Sequence, residues 1–170
     1  DQAHIYLGYE HASQMQQLNV IAQDALVSKN FLYVLENDRI SAYKLNNLNT
    51  ALVTINLPVV GANKLIMNMG RLYALSKSKI VKLETHNIAH SNLLQIESDG
   101  VLPQSTQKID INGELAVIFD GQSLSLYDIN QTQDKLSFNK LSEAELLNDV
   151  EKLNFALELA NKGWKTACIE

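Results

Sequence analysis

A hairpin pattern that occurs three times constrains this chain more than any other feature. Each copy has an apolar run, a short polar turn and a second run in which apolar and polar residues alternate, which is typical of a β-hairpin. The copies span residues 32–45, 72–83 and 115–129. Aligned on their first leucines, they are spaced by 40 and 43 residues, and the third copy needs one inserted residue in its turn. This spacing leaves room for four strands and their connections.

Shorter segments with strand character flank each hairpin and complete four-stranded units. Residues 4–10 and 17–21 are predicted to be the last two strands of a further unit. Pro58 and Pro103 fall between units, where a missing amide donor disturbs no strand pairing. The pattern predicts a mainly β chain of about three and a half four-stranded repeats. The flanking strands are predicted at residues 24–29, 64–69 and 108–112 before the hairpins, and at 51–57, 92–97 and 135–139 after them.

In this pattern the chain resembles the β-propeller superfamily of short-repeat proteins, in the broad WD40-like sense. The resemblance covers about residues 4 to 140, and the Gly-His and Trp-Asp dipeptides of typical WD40 repeats are absent from it. It implies a partial propeller, because radial closure usually takes four to eight blades. Three explanations remain open: two chains complete one ring, further strands precede this segment, or the sheets stack in another way.

The periodicity changes to that of an amphipathic helix after residue 140. Ser142 and Glu145 fit a capping box at the start of the helix. We therefore predict a β-repeat domain over residues 1–140 and a helical segment over residues 141–170. The apolar stripe of this helix is predicted to dock on the same chain or on a partner helix. The stripe consists of Leu146, Val150, Leu153, Leu157, Ala160 and Trp164.

A β-repeat region followed by a Leu/Ala-rich helix is similar to the propeller-to-solenoid junction of vesicle coat, tethering and nuclear pore subunits. The residues that carry this likeness are 155–160 and Trp164. The resemblance implies a scaffold that connects to a neighbouring helical domain, with vesicle tethering as one setting.

Charge and composition disfavour several classes of partner. The net charge is −5 with no basic patch, so we predict no nucleic-acid partner. No apolar stretch approaches the roughly 20 residues of a membrane-spanning helix, so we predict no membrane insertion. Cys168 is the only cysteine, which excludes an internal disulfide. Asn130 begins the single glycosylation sequon, so a cytoplasmic location is favoured over a secreted one. The first residue is Asp1 and not methionine, which indicates a processed chain or a piece of a longer one.

Few residues have the spacing of a catalytic or metal site. His86 and His90 lie four apart, as in some zinc sites, but no third ligand is nearby. Asp110, on a predicted inner strand, is the candidate for a hydrolytic site, and the six tyrosines are explained first by packing between sheets. We therefore predict no catalytic residue, no metal and no cofactor.

The favoured function is a non-catalytic module that binds a protein partner through its loops and its C-terminal helix. Self-association that completes a ring is a second form of partner binding. Two alternatives stay open: a propeller that binds a small ligand or hydrolyses a substrate at the mouth of its channel, and a secreted surface protein or adhesin. The predicted contact residues are Asn37, Asp38, Lys77, Ser78, Asp120 and Gly121 in the turns, and Leu146, Val150, Leu153, Leu157 and Trp164 in the helix.

Overall fold

The structure is a computed structural model that describes residues 3–6, 17–85, 94–145 and 149–164. In this part of the chain strands predominate, and one helix, α1 (Asp149–Asn161), follows the last strand. The strands are β1 (Ala3–Tyr6), β2 (Gln17–Val20), β3 (Asp24–Ser28), β4 (Phe31–Leu35), β5 (Arg39–Lys44), β6 (Val53–Asn56), β7 (Lys64–Asn68), β8 (Arg71–Leu75), β9 (Lys79–Glu84), β10 (Gln95–Val101), β11 (Lys108–Asn112), β12 (Leu115–Phe119), β13 (Ser123–Thr132) and β14 (Lys135–Glu145).

Backbone contacts divide the chain into two compact units, residues 1–100 and 101–170. The first unit contains the antiparallel pair β1-β2, the four-stranded sheet β3-β4-β5-β6, and strands β7 to β10 side by side in chain order. The second contains β11-β12-β13-β14 in chain order, followed by α1. The predicted four-stranded unit is therefore confirmed. The resemblance to the β-propeller superfamily holds at the level of this repeating unit.

The same backbone hydrogen bonds recur in the three four-stranded repeats, β3–β6, β7–β10 and β11–β14. The residue before the first strand donates to the last residue of the second strand, and the residue after the second strand closes the hairpin turn. The first bond is Gln23 N to Leu35 O (2.7 Å), Asn63 N to Leu75 O (2.8 Å) and Gln107 N to Phe119 O (2.8 Å). The second is Glu36 N to Arg39 O (2.9 Å), Ser76 N to Lys79 O (2.9 Å) and Asp120 N to Ser123 O (3.3 Å).

One detail of the predicted alignment is wrong. Leu115 is the first residue of β12, so Ala116 is the residue equivalent to Leu32 and Leu72 in the second position of β4 and β8. The third turn closes with the same four-residue hydrogen bond as the other two, so it contains no inserted residue. The apolar identity of Leu115 produced the shift, because a leucine fits a strand pattern better than an alanine.

In the sheet β3-β4-β5-β6 the two middle strands, β4 and β5, are buried on both faces. Side chains alternate between the faces of a strand, and β4 uses both. Tyr33 and Leu35 pack with residues of β7, β8 and β9, whereas Leu32 and Val34 pack with Leu18 of β2. The first unit is therefore a stack of sheets, and its apolar core lies between them.

A carboxylate joins the inner strands of the first two sheets. Asp24, the first residue of β3, accepts a hydrogen bond from the backbone N of Leu65 in β7 at 2.7 Å. Its other carboxylate oxygen accepts from Ala25 N at 2.8 Å. Because both partners lie at the start of their strands, β3 and β7 begin at the same end of the stack.

The predicted start of the C-terminal helix is wrong. Ser142 and Glu145 belong to β14, where they pair with Leu126 and Ser123 of β13, and α1 begins at Asp149. Thus β14 continues across the predicted boundary at residue 140. A capping box is a local signal, and pairing along the ten residues of β13 outweighs it.

The buried face of α1 also differs from the predicted stripe. Phe155 and Leu159 are 3% and 2% exposed and pack with Leu126, Ala144 and the following Trp164. Trp164 is buried, as predicted. The other stripe residues that the structure describes are exposed, namely Leu153, Leu157 and Ala160, whereas Leu146 and the side chain of Val150 lie outside the described part.

Helix α1 covers a specific face of its sheet. Val117 and Leu115 of β12 contact its cluster, together with Leu124. Val117 occupies the third position of its strand, as Tyr33 does in β4. In the first unit that position faces the following sheet. In the second unit α1 therefore covers the face on which a following sheet would pack.

Candidate functional site

The first predicted turn, residues 36–39, is closed by an ion pair between its ends. The Arg39 guanidinium contacts the Glu36 carboxylate, and this hydrogen bond and charge raise the pKa of Arg39. Asn37 and Asp38 are exposed between these ends. Glu36 and Asp38 both interact with the Arg39 charge, and the turn keeps a net charge of −1.

The second predicted turn, residues 76–79, is closed by a hydroxyl. Ser76 Oγ accepts a hydrogen bond from Lys79 N at 3.1 Å, which fixes the backbone without an ion pair. Lys77 and Ser78 are exposed, as is Lys79. The two lysines make this turn positive.

These two turns lie at one end of the first unit. Each turn follows a residue, Leu35 or Leu75, that accepts the hydrogen bond from the residue just before β3 or β7. Since β3 and β7 begin at the same end, where Asp24 binds Leu65 N, the turns of β4-β5 and β8-β9 are at that end as well. We call the exposed residues Asn37, Asp38, Lys77 and Ser78 the turn surface; it carries one acidic and one basic group on a hydrogen-bonded frame.

The third predicted turn, residues 120–123, lies in the second unit. Asp120 Oδ1 accepts hydrogen bonds from Ser123 N (2.8 Å) and Gln122 N (2.9 Å), and these bonds lower the pKa of Asp120. Gly121, exposed, has φ of 103°, a left-handed conformation that favours glycine. Asp120 therefore holds the turn closed, and its carboxylate oxygens are engaged within the turn.

A polar cluster beside this turn was not predicted. Glu143 on β14 accepts hydrogen bonds from Ser123 Oγ (2.9 Å) and Ser125 Oγ (3.4 Å), and its other oxygen lies 2.7 Å from Lys140 Nζ. Lys140 first, and then Ser123, lower the pKa of Glu143. The alternation of Ser123 and Ser125 in β13 was the available signal, but their partner could not be found until β14 was known to extend to Glu145.

An ion-pair network in the first unit was also missed. Arg71 on β8 lies 3.0 Å from Glu84 on β9 and 3.0 Å from Glu97 on β10, and Lys82 Nζ lies 3.3 Å from Glu97. These side chains are partly buried, so the network is less screened than a surface pair. It fixes β10 beside β9 and has no catalytic geometry.

The second predicted contact surface is on α1. Leu153 and Leu157 are 62% and 55% exposed, one helical turn apart. Asn154 and Asn161 are exposed polar neighbours. We call Leu153 and Leu157 the helix surface; it is apolar and lies outside the cluster with which α1 packs on its sheet.

Candidate residues for other chemistry do not converge. Asp110 is exposed on β11, where its carboxylate accepts a hydrogen bond from Ile111 N at 3.0 Å. Among the described residues there is no group of three or more His, Cys, Asp or Glu placed to hold a metal ion. His86, His90 and Cys168 lie outside the described residues. Over that same part of the chain, no helix has the length and apolar character needed to cross a bilayer.

Three of the tyrosines that the structure describes in the repeat are buried. Tyr33, Tyr43 and Tyr73 are 3%, 7% and 4% exposed. Burial raises the pKa of Tyr33. The prediction that tyrosine rings pack between sheets is confirmed for Tyr33 and Tyr43. Tyr127 is half-buried and contacts Phe138 on the neighbouring strand of its own sheet.

Among the solved structures that resemble this chain are two of low sequence identity. The crystal structure of the N-terminal domain of Nup159 is 13% identical with a TM-score of 0.46, and the match covers 84% of this chain and 35% of that one. A chain in the S. cerevisiae structure of Dbp5 bound to Nup159, with Gle1, IP6 and ADP, is 13% identical with a TM-score of 0.49 and the same coverage. This chain thus spans about a third of the length of the chains it matches. No protein-family model and no curated protein matches it.

Proposed function

We propose that this chain is a non-catalytic protein-interaction module that binds a protein partner through the turn surface. The observation that supports it is the construction of the turns. In each turn the side chain of the first residue is engaged with the fourth, through Glu36 and Arg39 or through Ser76 and Lys79. The two central residues are left exposed on a fixed backbone.

Such turns suit recognition of an irregular protein surface. Rigid loops lose little conformational entropy on binding. The exposed charges, Asp38 in one turn and Lys77 in the other, are opposite, so the expected partner presents a base and an acid at a matching separation. Salt should weaken this complex, because both groups are at the surface.

The helix surface is the second proposed contact. Leu153 and Leu157 form an apolar pair at helical spacing, which fits the groove of a partner helix or of a helical domain. Vesicle tethering and the WD40-like assignment remain predictions for this chain. Ring completion by a second copy also remains a prediction, and it would require stacking on a face other than the one that α1 covers.

The test is quantitative capture of proteins from an extract of the source cells. The immobilised chain is compared with Lys77→Glu and with Lys29→Glu, a matched charge reversal at the β3-β4 turn of the opposite end. We expect a protein that is retained by the wild type and by Lys29→Glu and that is lost with Lys77→Glu and Asp38→Lys. Equal retention of every captured protein by all four chains would overturn the proposal.

The helix surface has its own pair of variants. Leu153→Asp with Leu157→Asp removes the apolar contact, and Asn154→Asp with Asn161→Asp adds the same charge at exposed polar positions. Loss of the captured protein in the first pair alone supports the helix contact. Loss in both pairs would mean that charge near α1 is responsible, and it would remove the helix from the proposal.

A further inference from the structure

The outer strand of the first sheet, β6, has a free edge. In the order β3-β4-β5-β6 it is the last strand, and among the described residues it has a partner strand on one side only. An unpaired edge presents backbone N–H and C=O groups that can pair with another strand. Thr54 and Asn56 are exposed, and Val53 and Ile55 are half-buried.

The backbone groups that point outward can be assigned from the register. Leu57 N donates to Asp38 O at 2.7 Å, so this is a hydrogen-bonded pair of the antiparallel ladder. Hydrogen-bonded and non-hydrogen-bonded pairs alternate along an antiparallel ladder. Thr54 and Asn56 therefore belong to non-hydrogen-bonded pairs with β5, and their backbone N–H and C=O groups point away from β5. The 2.9 Å contact of Ser41 Oγ with Thr54 Oγ1 agrees, because opposite side chains approach most closely in non-hydrogen-bonded pairs.

The sequence segment that contains β6 lacks the charges that usually protect an edge strand. Residues 45–63 contain no Asp, Glu, Lys, Arg or His. Charged side chains on an edge strand oppose pairing with another chain. The segment that contains β6 has no such side chain.

We propose that β6 is a self-association site that pairs antiparallel with β6 of a second copy of this chain. With Ile55 on the twofold axis, the outward groups of Thr54 meet those of the partner's Asn56, and those of Asn56 meet the partner's Thr54. This register gives four backbone hydrogen bonds. No charge faces a like charge, because the segment has none. Pro58, which has no N–H, stands opposite position 52 of the partner in this register and ends the pairing.

A four-residue strand makes a small interface, so the dimer should be weak. Interfaces below about 1,200 Å² belong to transient contacts, and a dissociation constant of about 10 µM or weaker is expected. The dimer should also be insensitive to salt between about 0.1 and about 1 M, since no ion pair forms it. In both respects it differs from binding at the turn surface, on which it does not depend.

The test is the mass of the 170-residue chain as a function of concentration, measured by sedimentation equilibrium. We expect a shift from 19.0 kDa toward twice that mass. Asn56→Pro removes an outward N–H and leaves the bonds of β6 to β5 intact, so it should weaken the dimer at least tenfold. Asn56→Ala keeps the N–H and should change the dissociation constant less than about threefold.

A second pair of variants separates edge pairing from other contacts. Asn56→Lys adds a charge at the edge and should weaken the dimer, whereas Gln104→Lys adds the same charge at an exposed residue of the second unit and should not. A monomer at every concentration would overturn the proposal. So would a dimer that survives Asn56→Pro, because another surface would then hold it. Lys77→Glu should leave the dimer unchanged, so that failure of the turn surface and failure of the edge are distinguishable.

Discussion

Replacing Phe155 by Ala tests which face of α1 holds it on its sheet. Phe155 is 3% exposed and belongs to a cluster with Leu126, Ala144 and Leu159. Truncation of a buried Phe costs about 3–5 kcal/mol, from lost transfer energy and the cavity that remains. At the lower end, about 3 kcal/mol, the docking equilibrium of α1 shifts by roughly a hundredfold. We therefore expect the second unit to lose most of its helix docking in Phe155→Ala.

The protein contains its own reporter for this experiment. Trp164 is the single tryptophan, it is 8% exposed, and it lies in the same cluster as Phe155. Its emission should move to longer wavelength in Phe155→Ala, with stronger quenching by acrylamide. Urea unfolding followed at this tryptophan gives the change in free energy of the second unit directly.

The matched control is Leu153→Ala, on the same helix. Leu153 is 62% exposed, so its truncation should change the free energy of unfolding by less than about 0.5 kcal/mol. Equal losses in Leu153→Ala and Phe155→Ala would refute the reasoning, and they would restore the stripe predicted from the sequence. An unchanged Trp164 emission in Phe155→Ala would refute it as well.

Three further predictions concern the turns and the inner strands. Asp24→Ala should lower the free energy of unfolding by about 1.5–3 kcal/mol, measured by urea unfolding, because it leaves Leu65 N without its acceptor; Asp24→Asn should restore part of the loss. The pKa of Asp120 is lowered in the folded state. The contribution of its carboxylate to the free energy of unfolding is therefore complete above pH 3.8, its ordinary pKa, and is lost as the pH falls through the folded pKa. The melting temperature of Asp120→Asn should therefore fall less steeply than that of the wild type below about pH 4, and parallel curves would contradict this. Gly121→Ala should cost about 1–2 kcal/mol through its φ of 103°, and adding Gln107→Ala should relieve only the contact of the new Cβ with the Gln107 amide.

Strand positions near the hairpins were predictable because each one is determined locally. The strand predicted at 108–112 coincides with β11, and those predicted at 24–29 and 64–69 differ from β3 and β7 by one residue. A period-two pattern bounded by residues suited to turns depends only on neighbours along the chain. The positions of the turns were predictable for the same reason, since equivalent positions in a repeat fold into equivalent turns.

Predictions beyond the hairpins were less accurate where the deciding partner is distant in sequence. Glu97 is an example: the pattern put it at the end of a strand, whereas its pairing with Arg71 and Lys82 depends on three strands lying side by side. The carboxylate of Asp24 is another, because its acceptor role on Leu65 N joins positions 41 residues apart. Nothing near either residue in the sequence signals its partner.

The sequence by itself determined the repeating unit, its four strands and the turns that close it. It also determined that a helix follows the last strand, because the change from strand to helix periodicity is a local property of the sequence. Tertiary structure decided where that helix begins and which side of it is buried. Residues 141–145 have a helical signal, yet four of them pair with residues 123–126 of β13, beyond a register shift at Leu141, and the segment is strand. The sheet face formed by Leu126 and Ala144 packs with Phe155 and Leu159 and not with Leu153 and Leu157, and this choice depends on residues distant in sequence.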